Sequence, residues 1–342
     1  MTRILSGIRP SGKLHLGNYL GAIKNWIELQ DKNPELCVFM IADYHGITTP
    51  FDPKKYKEQI LDVAVQYLAA GINPEKSLLI RQSQVPQHTE LAWIFSTIVS
   101  KSWLERLPTY KEKIKEATKI SLYNSREEAK INSKKILVNV ALLNYPVLMA
   151  ADILIYRANL VPVGEDQLPH IDLTNEILKR FNSTFGQTFE PVKSHLASGE
   201  RIMSLQDPEK KMSKTGDEGI ALIDSSEMIH EKIKRAVTDS GKEIRFDEKE
   251  KPAISNLLTI YSLLSNKKVS EIEKGFEGKS YVEFKDSLAE MIINFLAPFQ
   301  KKYSEFKNNI GEVEKILKTS EEKARKEAQK TLDEVKQKIG LL

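Results

Sequence analysis

Two short stretches hold the residues best suited to chemistry in this sequence. The first is Gly7-Ile8-Arg9-Pro10-Ser11-Gly12-Lys13-Leu14-His15-Leu16-Gly17-Asn18, which follows a short apolar run and opens a helix near Gly17. A helix start reached through a glycine-bearing loop turns free backbone N–H groups and the positive end of the helix dipole toward an anion. Its spacing is neither that of a P-loop, G-x-x-x-x-G-K-[ST], nor that of the dinucleotide fingerprint G-x-G-x-x-G. The second stretch, far downstream, is Lys210-Lys211-Met212-Ser213-Lys214-Thr215-Gly216. Lysines interleaved with hydroxyls on a glycine-flanked loop suit an anionic leaving group such as pyrophosphate. Taken singly, each stretch has a plainer reading, an ordinary βα turn and a solvated lysine cluster.

Residues so far apart need a frame, and the apolar pattern supplies one. Arg3–Ile8 reads as a strand, Leu16–Leu29 as an amphipathic helix, Cys37–Ala42 as a strand and Lys54–Ala70 as a helix closed by Gly71. Ser77–Ile80 is a third strand and Thr89–Ser100 the helix after it. Such alternation predicts a parallel sheet with helices on both faces and ligands along its carboxyl edge. Ile136–Tyr156 follows as a buried helix interrupted by Pro146, then Leu160–Val163 as a strand and Asp166–Phe181 as a helix. Beyond Gly216 the pattern is helical, over Ser226–Val237, Ile254–Leu264 and Tyr281–Leu296. Val313–Ile339 is a long charged helix with Ile316, Leu317, Ala324, Ala328, Leu332, Val335 and Ile339 as its apolar stripe.

The expected fold class is α/β, a Rossmann-like parallel-sheet catalytic domain followed by a smaller all-helical domain. The boundaries expected are 1–216, with a basic insertion at about 101–135, then 217–310, then a C-terminal helix over 311–342 that packs back on the body. A chain of 342 residues with 41% hydrophobic and 29% charged side chains is no disordered, collagen-like or disulfide-built protein. Its net charge of +4 is too small to name a nucleic-acid partner. Lys111, Lys113, Lys115, Lys119, Arg126, Lys130, Lys134 and Lys135 crowd one stretch, which reads as a solvated loop or helix pair ahead of the alternative, a nucleic-acid contact. The one cysteine, Cys37, lies in an apolar run and leaves no thiols for a disulfide, a multi-cysteine zinc site or an iron–sulfur cluster. No apolar run reaches membrane-spanning length, so a cytoplasmic protein with no membrane partner is expected.

Together the two loops are far more specific than either alone. The sequence resembles the class I aminoacyl-tRNA synthetases, whose motifs His-Ile-Gly-His and Lys-Met-Ser-Lys-Ser read here His15-Leu16-Gly17-Asn18 and Lys211-Met212-Ser213-Lys214-Thr215. Within that class it is similar, nearly end to end, to the bacterial-type tryptophanyl-tRNA synthetase family. The segments that carry this are Pro10-Ser11-Gly12 with Gly17-Asn18-Tyr19, Tyr145–Tyr156 (YPVLMAADILIY), Val161–Gln167 (VPVGEDQ), Arg201–Leu205 (RIMSL) and Lys234–Ser240 (KRAVTDS).

The resemblance implies a ligase that activates L-tryptophan with ATP and Mg2+ and passes it to tRNA(Trp), acting as a homodimer with no resident metal. It implies that His15, Asn18, Lys211 and Lys214 act on the phosphates. Arg9, Pro10, Ser11, Gly17, Asn18, Gly164, Glu165, Asp166, Ile202, Lys211, Met212, Ser213, Lys214 and Thr215 would then form the ATP site. Asp152 would accept the indole N–H, because a buried carboxylate needs a donor and an indole is donor-only. Met149, Val161 and Val163 would wall the pocket, Tyr145 and Gln167 would hold the amino group, and His45 would approach the substrate. His170 reads as structural, and the helical domain is expected to bind the anticodon. Asn18 and Thr215 depart from the motif patterns but keep polar groups, and Arg9 adds a charge where a Gln often stands. Two alternatives remain at this point, a tyrosyl-tRNA synthetase-like enzyme and a nucleotidyltransferase paralogue of the same superfamily.

Overall fold

Side chains along β1 (Arg3–Ile8) and β2 (Leu36–Ile41) alternate between two apolar clusters, and this sets the architecture. Ile4, Cys37, Phe39 and Ile41 join one cluster, while Leu5, Val38 and Met40 join the other. Strands buried on both faces need a helical layer on each side. The computed structural model describes residues 2–32, 34–123, 138–196, 202–212 and 218–342, without the side chains of 116–123. Three further strands, β3 (Leu78–Arg81), β4 (Leu160–Val163) and β5 (Lys193–Leu196), complete a sheet of order β3-β2-β1-β4-β5. Every pairing in it is parallel. The chain winds outward from β1 to β3 and then returns to β4 on the other side of β1. That reversal opens a crevice at the carboxyl ends of β1 and β4, where sheets of this kind bind ligands.

The helices of the first part are α1 (Leu16–Asn18), α2 (Lys24–Asp31), α3 (Asp43–Gly46), α4 (Pro53–Ala70), α5 (Gln87–Ser96), α6 (Lys101–Glu105), α7 (Pro108–Tyr123), α8 (Val140–Ile155) and α9 (Leu168–Phe185). The Asp52 side chain caps the first turn of α4, and Gly71 closes the helix at φ 114°, a conformation that only glycine adopts without strain. Helices alone follow among the described residues beyond 217: α10 (Ser226–Arg235), α11 (Pro252–Ser265), α12 (Val269–Gly275), α13 (Tyr281–Asn308) and α14 (Ile310–Ile339). The α/β class with a helical C-terminal region is therefore as the pattern predicts.

Four details differ from the sequence expectation. The first helix is not uniform, because a π-helical turn over Tyr19–Ile23 joins α1 to α2. Pro146 does not interrupt α8, which runs through it. The loss of one backbone hydrogen bond there is outweighed by packing, since Pro146 and its neighbour Val147 are both buried. Strand β5 has no apolar alternation, as an edge strand of mostly exposed residues held by backbone pairing to β4. The short α12 also escapes the pattern.

Helix α14 crosses the outer edge of the sheet. Val313 and Leu317 pack into one apolar cluster, and Ala324, Ala328, Leu332 and Val335 pack into the other. Between them the helix covers β3, an edge whose backbone groups would otherwise face a foreign strand. Glu321, buried at the crossing, accepts from Arg81 Nε at 2.6 Å and from Arg81 Nη2 at 2.9 Å. Further along, Arg325 donates to the Gln84 carbonyl at 2.7 Å and Gln87 donates to Gln329 at 2.8 Å. Removing one member of a buried ion pair strands the other charge. Glu321→Ala is therefore expected to lower stability by about 3 kcal/mol, read from urea unfolding; a loss under about 1 kcal/mol would show that the pair behaves as an exposed one.

Candidate active site

The loop after β1 ends in a reciprocal cap. His15 Nδ1 accepts the Asn18 N–H at 3.3 Å, and Asn18 Oδ1 accepts the His15 N–H at 3.2 Å. Each side chain thereby holds the other at the start of the helix, with His15 buried beneath. Gly17 makes this possible, because a β-carbon there would lie 3.1 Å from His15 Nδ1. The same β-carbon would lie 3.6 Å from Met212, so the second motif sits directly against the first. A small hairpin brings it there: Met203 bridges Lys211, and the Met212 N–H donates to the Ile202 carbonyl at 3.1 Å. Chain past the second motif then returns to the first, with Leu16 N–H on the Ile220 carbonyl and Leu222 N–H on the Leu14 carbonyl.

At the end of β4, Gly164 leads into the turn Glu165–Gln167 and then α9. Lys211 Nζ stands 3.8 Å from Asp166 Oδ1, so the lysine of the second motif reaches this turn as well. Both groups are more than half exposed, and the pair marks proximity rather than stability. Gln167 donates to Asp166 Oδ2 at 2.7 Å. Arg9 and Ser11 are exposed beside Pro10, and Ile202 and Met212 are buried beneath the loop. Ser213, Lys214 and Thr215 lie outside the described residues, as do Arg201 and the 124–137 part of the basic segment.

Asp152, on α8, is fully buried, and both its carboxylate oxygens accept from protein donors. Oδ1 accepts from Gln82 at 2.8 Å and His88 Nδ1 at 2.6 Å, and Oδ2 accepts from Gln82 at 2.9 Å and His45 Nε2 at 2.7 Å. A carboxylate only accepts, which assigns an N–H to each of those imidazole nitrogens. Burial alone pushes the Asp152 carboxyl upward, but the hydrogen bonds and charge of His45 and His88 outweigh it and hold the group below its ordinary range. The donors that a buried carboxylate needs come here from long-range protein partners. Gln82 and His88 were not singled out from sequence. The one hint was polar side chains next to apolar β3 and at the start of apolar α5.

Met149, Val161 and Val163 share one apolar cluster on one side of the sheet, while Tyr145 stands on α8 and Gln167 in the turn after β4. Val161 is buried, and Met149 and Val163 pack partly buried against its cluster. The Tyr145 hydroxyl meets His170 Nε2 at 2.7 Å, and the Tyr145 ring stands edge-on to His45 at 6.1 Å. Burial raises the Tyr145 hydroxyl above its usual range against the opposing pull of Thr109 and Arg9. Arg9 and Asp166 both act on Tyr145 through charge, so the β1 loop, the β4 turn and α8 meet around one space. Pro10 closes it toward α3, since a β-carbon on Gly46 would lie 3.3 Å from Pro10 Cδ. Sequence-marked residues from β1, α3, α8, β4 and the 202–212 hairpin are therefore gathered along the carboxyl edge of one sheet.

A helix start that faces a lysine-bearing hairpin at the switch point of a parallel sheet is the layout of a nucleotide-binding α/β protein. The family model of class I tRNA synthetases (W and Y) matches residues 1–297, and the chain belongs to that family. It is 42% identical over 346 residues to a tryptophan–tRNA ligase of Caldanaerobacter subterraneus subsp. tengcongensis, covering 100% of this chain and 99% of the relative. The tryptophanyl-tRNA synthetase of Mycoplasma pneumoniae superposes with a TM-score of 0.86 at 33% identity, covering 100% of this chain and 98% of that one. The Campylobacter jejuni tryptophanyl-tRNA synthetase, complexed with ADP and tryptophan, gives 0.82 at 32% identity, covering 99% and 100%.

Burial lowers the His170 imidazole from 6.5 to about 4, with the charge of Asp166 opposing and that of His45 assisting. Below pH 6.5 the unfolded imidazole takes a proton that the folded one refuses, so stability falls as pH drops from 6.5 toward 4. The Asp152 carboxyl, held low, titrates beneath that window. Between pH 7.5 and pH 5 the folded state is expected to lose about 2 kcal/mol through His170. Urea unfolding at the two pH values should show that loss, and His170→Gln should remove most of it; an equal loss in both proteins would count against it.

Proposed function

We infer that the chain works as a tryptophan–tRNA ligase. The observation that carries this is likeness over the whole chain to relatives of that name, at 42% identity for a relative of nearly equal length. The tyrosyl alternative is not favoured. In the first half-reaction the ionised tryptophan carboxylate attacks the α-phosphorus of ATP, the bond to the β-phosphate oxygen breaks, and pyrophosphate leaves with tryptophanyl-adenylate behind. No strong base is required, so the protein's task is positioning and charge stabilisation. In the second, the terminal adenosine hydroxyl of the tRNA attacks the activated carbonyl and AMP leaves.

The capped pair His15 and Asn18 is proposed to hydrogen-bond phosphate oxygens, while Gly17 lets the nucleotide approach the backbone. Lys211 and Lys214 stabilise the leaving pyrophosphate, and Arg9, Pro10, Ser11, Gly164, Glu165, Asp166, Ile202, Met212, Ser213 and Thr215 complete the ATP site. Among the described residues no three His, Cys, Asp or Glu side chains form a metal cage. Mg2+ would be held by the ATP phosphates, and it would there neutralise part of their charge. Asp152 takes the indole N–H, Met149, Val161 and Val163 wall the ring, Tyr145 and Gln167 hold the amino group, and His45 stands beside them.

The same inference extends to the rest of the chain. Residues 1–216 form the catalytic domain, 217–310 the part that meets the tRNA(Trp) anticodon, and 311–342 the C-terminal helix that packs back on the body. No helix among the described residues is long and apolar enough to cross a membrane, and a cytoplasmic place beside its tRNA suits the reaction. Trp93 on α5 is 74% exposed and Val140 on α8 is 80% exposed, on two helices that pack together. A second copy of the chain is the proposed cover for them. Light scattering is expected to give twice the mass of one chain and Trp93→Glu a single one; a monomeric parent would end the dimer proposal.

Purified protein is expected to exchange pyrophosphate into ATP with tryptophan, and not with tyrosine or phenylalanine. Exchange with tyrosine alone would sink the substrate assignment. Asp152→Asn should raise the tryptophan KM about tenfold or more with the ATP KM unchanged, and Lys211→Ala should lower kcat with little effect on the tryptophan KM.

A further inference from the structure

Both oxygens of the Asp152 carboxylate have protein donors before substrate arrives. Three nitrogens meet it: Gln82 Nε2 lies within bonding distance of both oxygens, His88 Nδ1 bonds Oδ1 and His45 Nε2 bonds Oδ2. Asp152 is 1% exposed, so a path for an indole N–H opens only where one of these donors withdraws. The donors are not equal. Gln82 is fully buried and anchored at its other end, its Oε1 accepting the Tyr44 N–H at 3.1 Å. His88 is fully buried too, with Nε2 2.8 Å from the Tyr156 hydroxyl. Moving either one breaks a second buried hydrogen bond. His45 differs on both counts. Its side chain retains 10% exposure against 0% for His88, and it stands on the four-residue α3 with its ring toward Tyr145 of the proposed pocket.

We propose that His45 is a resident donor which tryptophan displaces: the indole N–H replaces His45 Nε2–H on Asp152 Oδ2, while Gln82 and His88 stay as the fixed donors that orient the carboxylate. This rests on Asp152 as the indole acceptor. For tryptophan, one charge-assisted hydrogen bond to Oδ2 is exchanged for another, so the buried carboxylate stays paired while the His45 N–H turns to the pocket's mouth. A ring without an N–H either meets His45 in its place or leaves Oδ2 bare and buried. Rejection of such rings therefore comes from an unpaired buried charge, a discrimination worth more than shape alone. His45 acts here as a specificity residue, and His88 and Gln82 as positioning residues.

The test uses the full chain with 15N-labelled histidine and two probes, tryptophan and its isostere carrying sulfur in place of the indole N–H. The hydrogen-bonded Nε2–H resonance of His45, identified by its absence in His45→Gln, should vanish at saturating tryptophan and persist with the isostere, while that of His88 persists in both. Survival of the His45 resonance under saturating tryptophan overturns the exchange. In pyrophosphate exchange, His45→Ala should raise the preference for tryptophan over the isostere about tenfold, because the incoming N–H meets an open acceptor; an unchanged or smaller preference counts against the proposal. Asp152→Asn separates the two levels. If it abolishes that preference while the His45 resonance survives tryptophan, the exchange alone fails. If it leaves the preference intact, the indole assignment fails with it.

Discussion

A buried carboxylate must find hydrogen-bond donors wherever the fold can supply them, and Asp152 draws its donors from three separate segments. His45 comes from the helix after β2, Gln82 from the turn after β3, and His88 from α5. Those segments are tied to one another in turn, as Asp43 beside His45 accepts the backbone N–H and hydroxyl of Ser83 beside Gln82. The consequence is a carboxyl edge whose loops cannot drift independently. Much of the precision required of the substrate pocket is built into that one constraint, on rigid elements rather than long loops.

The nucleotide side follows a different principle. Its charges are exposed and its contacts are mostly backbone: a reciprocal helix cap, a short hairpin and strand-like bridges between distant segments. Lys211 keeps more than half of its surface in water. A cationic group that must meet a phosphate and then let it go is better solvated than buried, since a buried cation would need a permanent partner. The candidate site therefore couples a dry half, around Asp152, with a wet half, around Lys211, to which the proposed function gives the side chain and the phosphates respectively.

How much of this was legible beforehand depended on the kind of signal. Strands β1 to β4 announce themselves because their apolar residues face two buried layers, and the loops announce themselves because glycine, histidine and lysine stand at motif spacings. Strand β5 does not, because an edge strand held by backbone pairing needs no apolar pattern. Asp152 was legible as an anomaly, a charge inside an apolar helix. Its partners were not, because Gln82 and His88 are reached only once β3, α5 and α8 are packed together, and no local pattern encodes that contact. Pro146 was misleading for the same reason, as tertiary packing overrode a local preference.

Helix α14 holds the β3 edge through Glu321 and Arg81, and Arg3 of β1 reaches Glu327 on the same helix. Strand β1 and helix α14 are thus partners across 324 residues of chain. A ribosome delivers the last of these long after the first, at roughly 5–20 residues per second. Until then the edge beside Gln82 stands open, and the nascent sheet has a margin that other strands could join. Synthesis of α14 is therefore also the event that covers this edge, so the segment bearing Gln82 is braced only once that helix has been made.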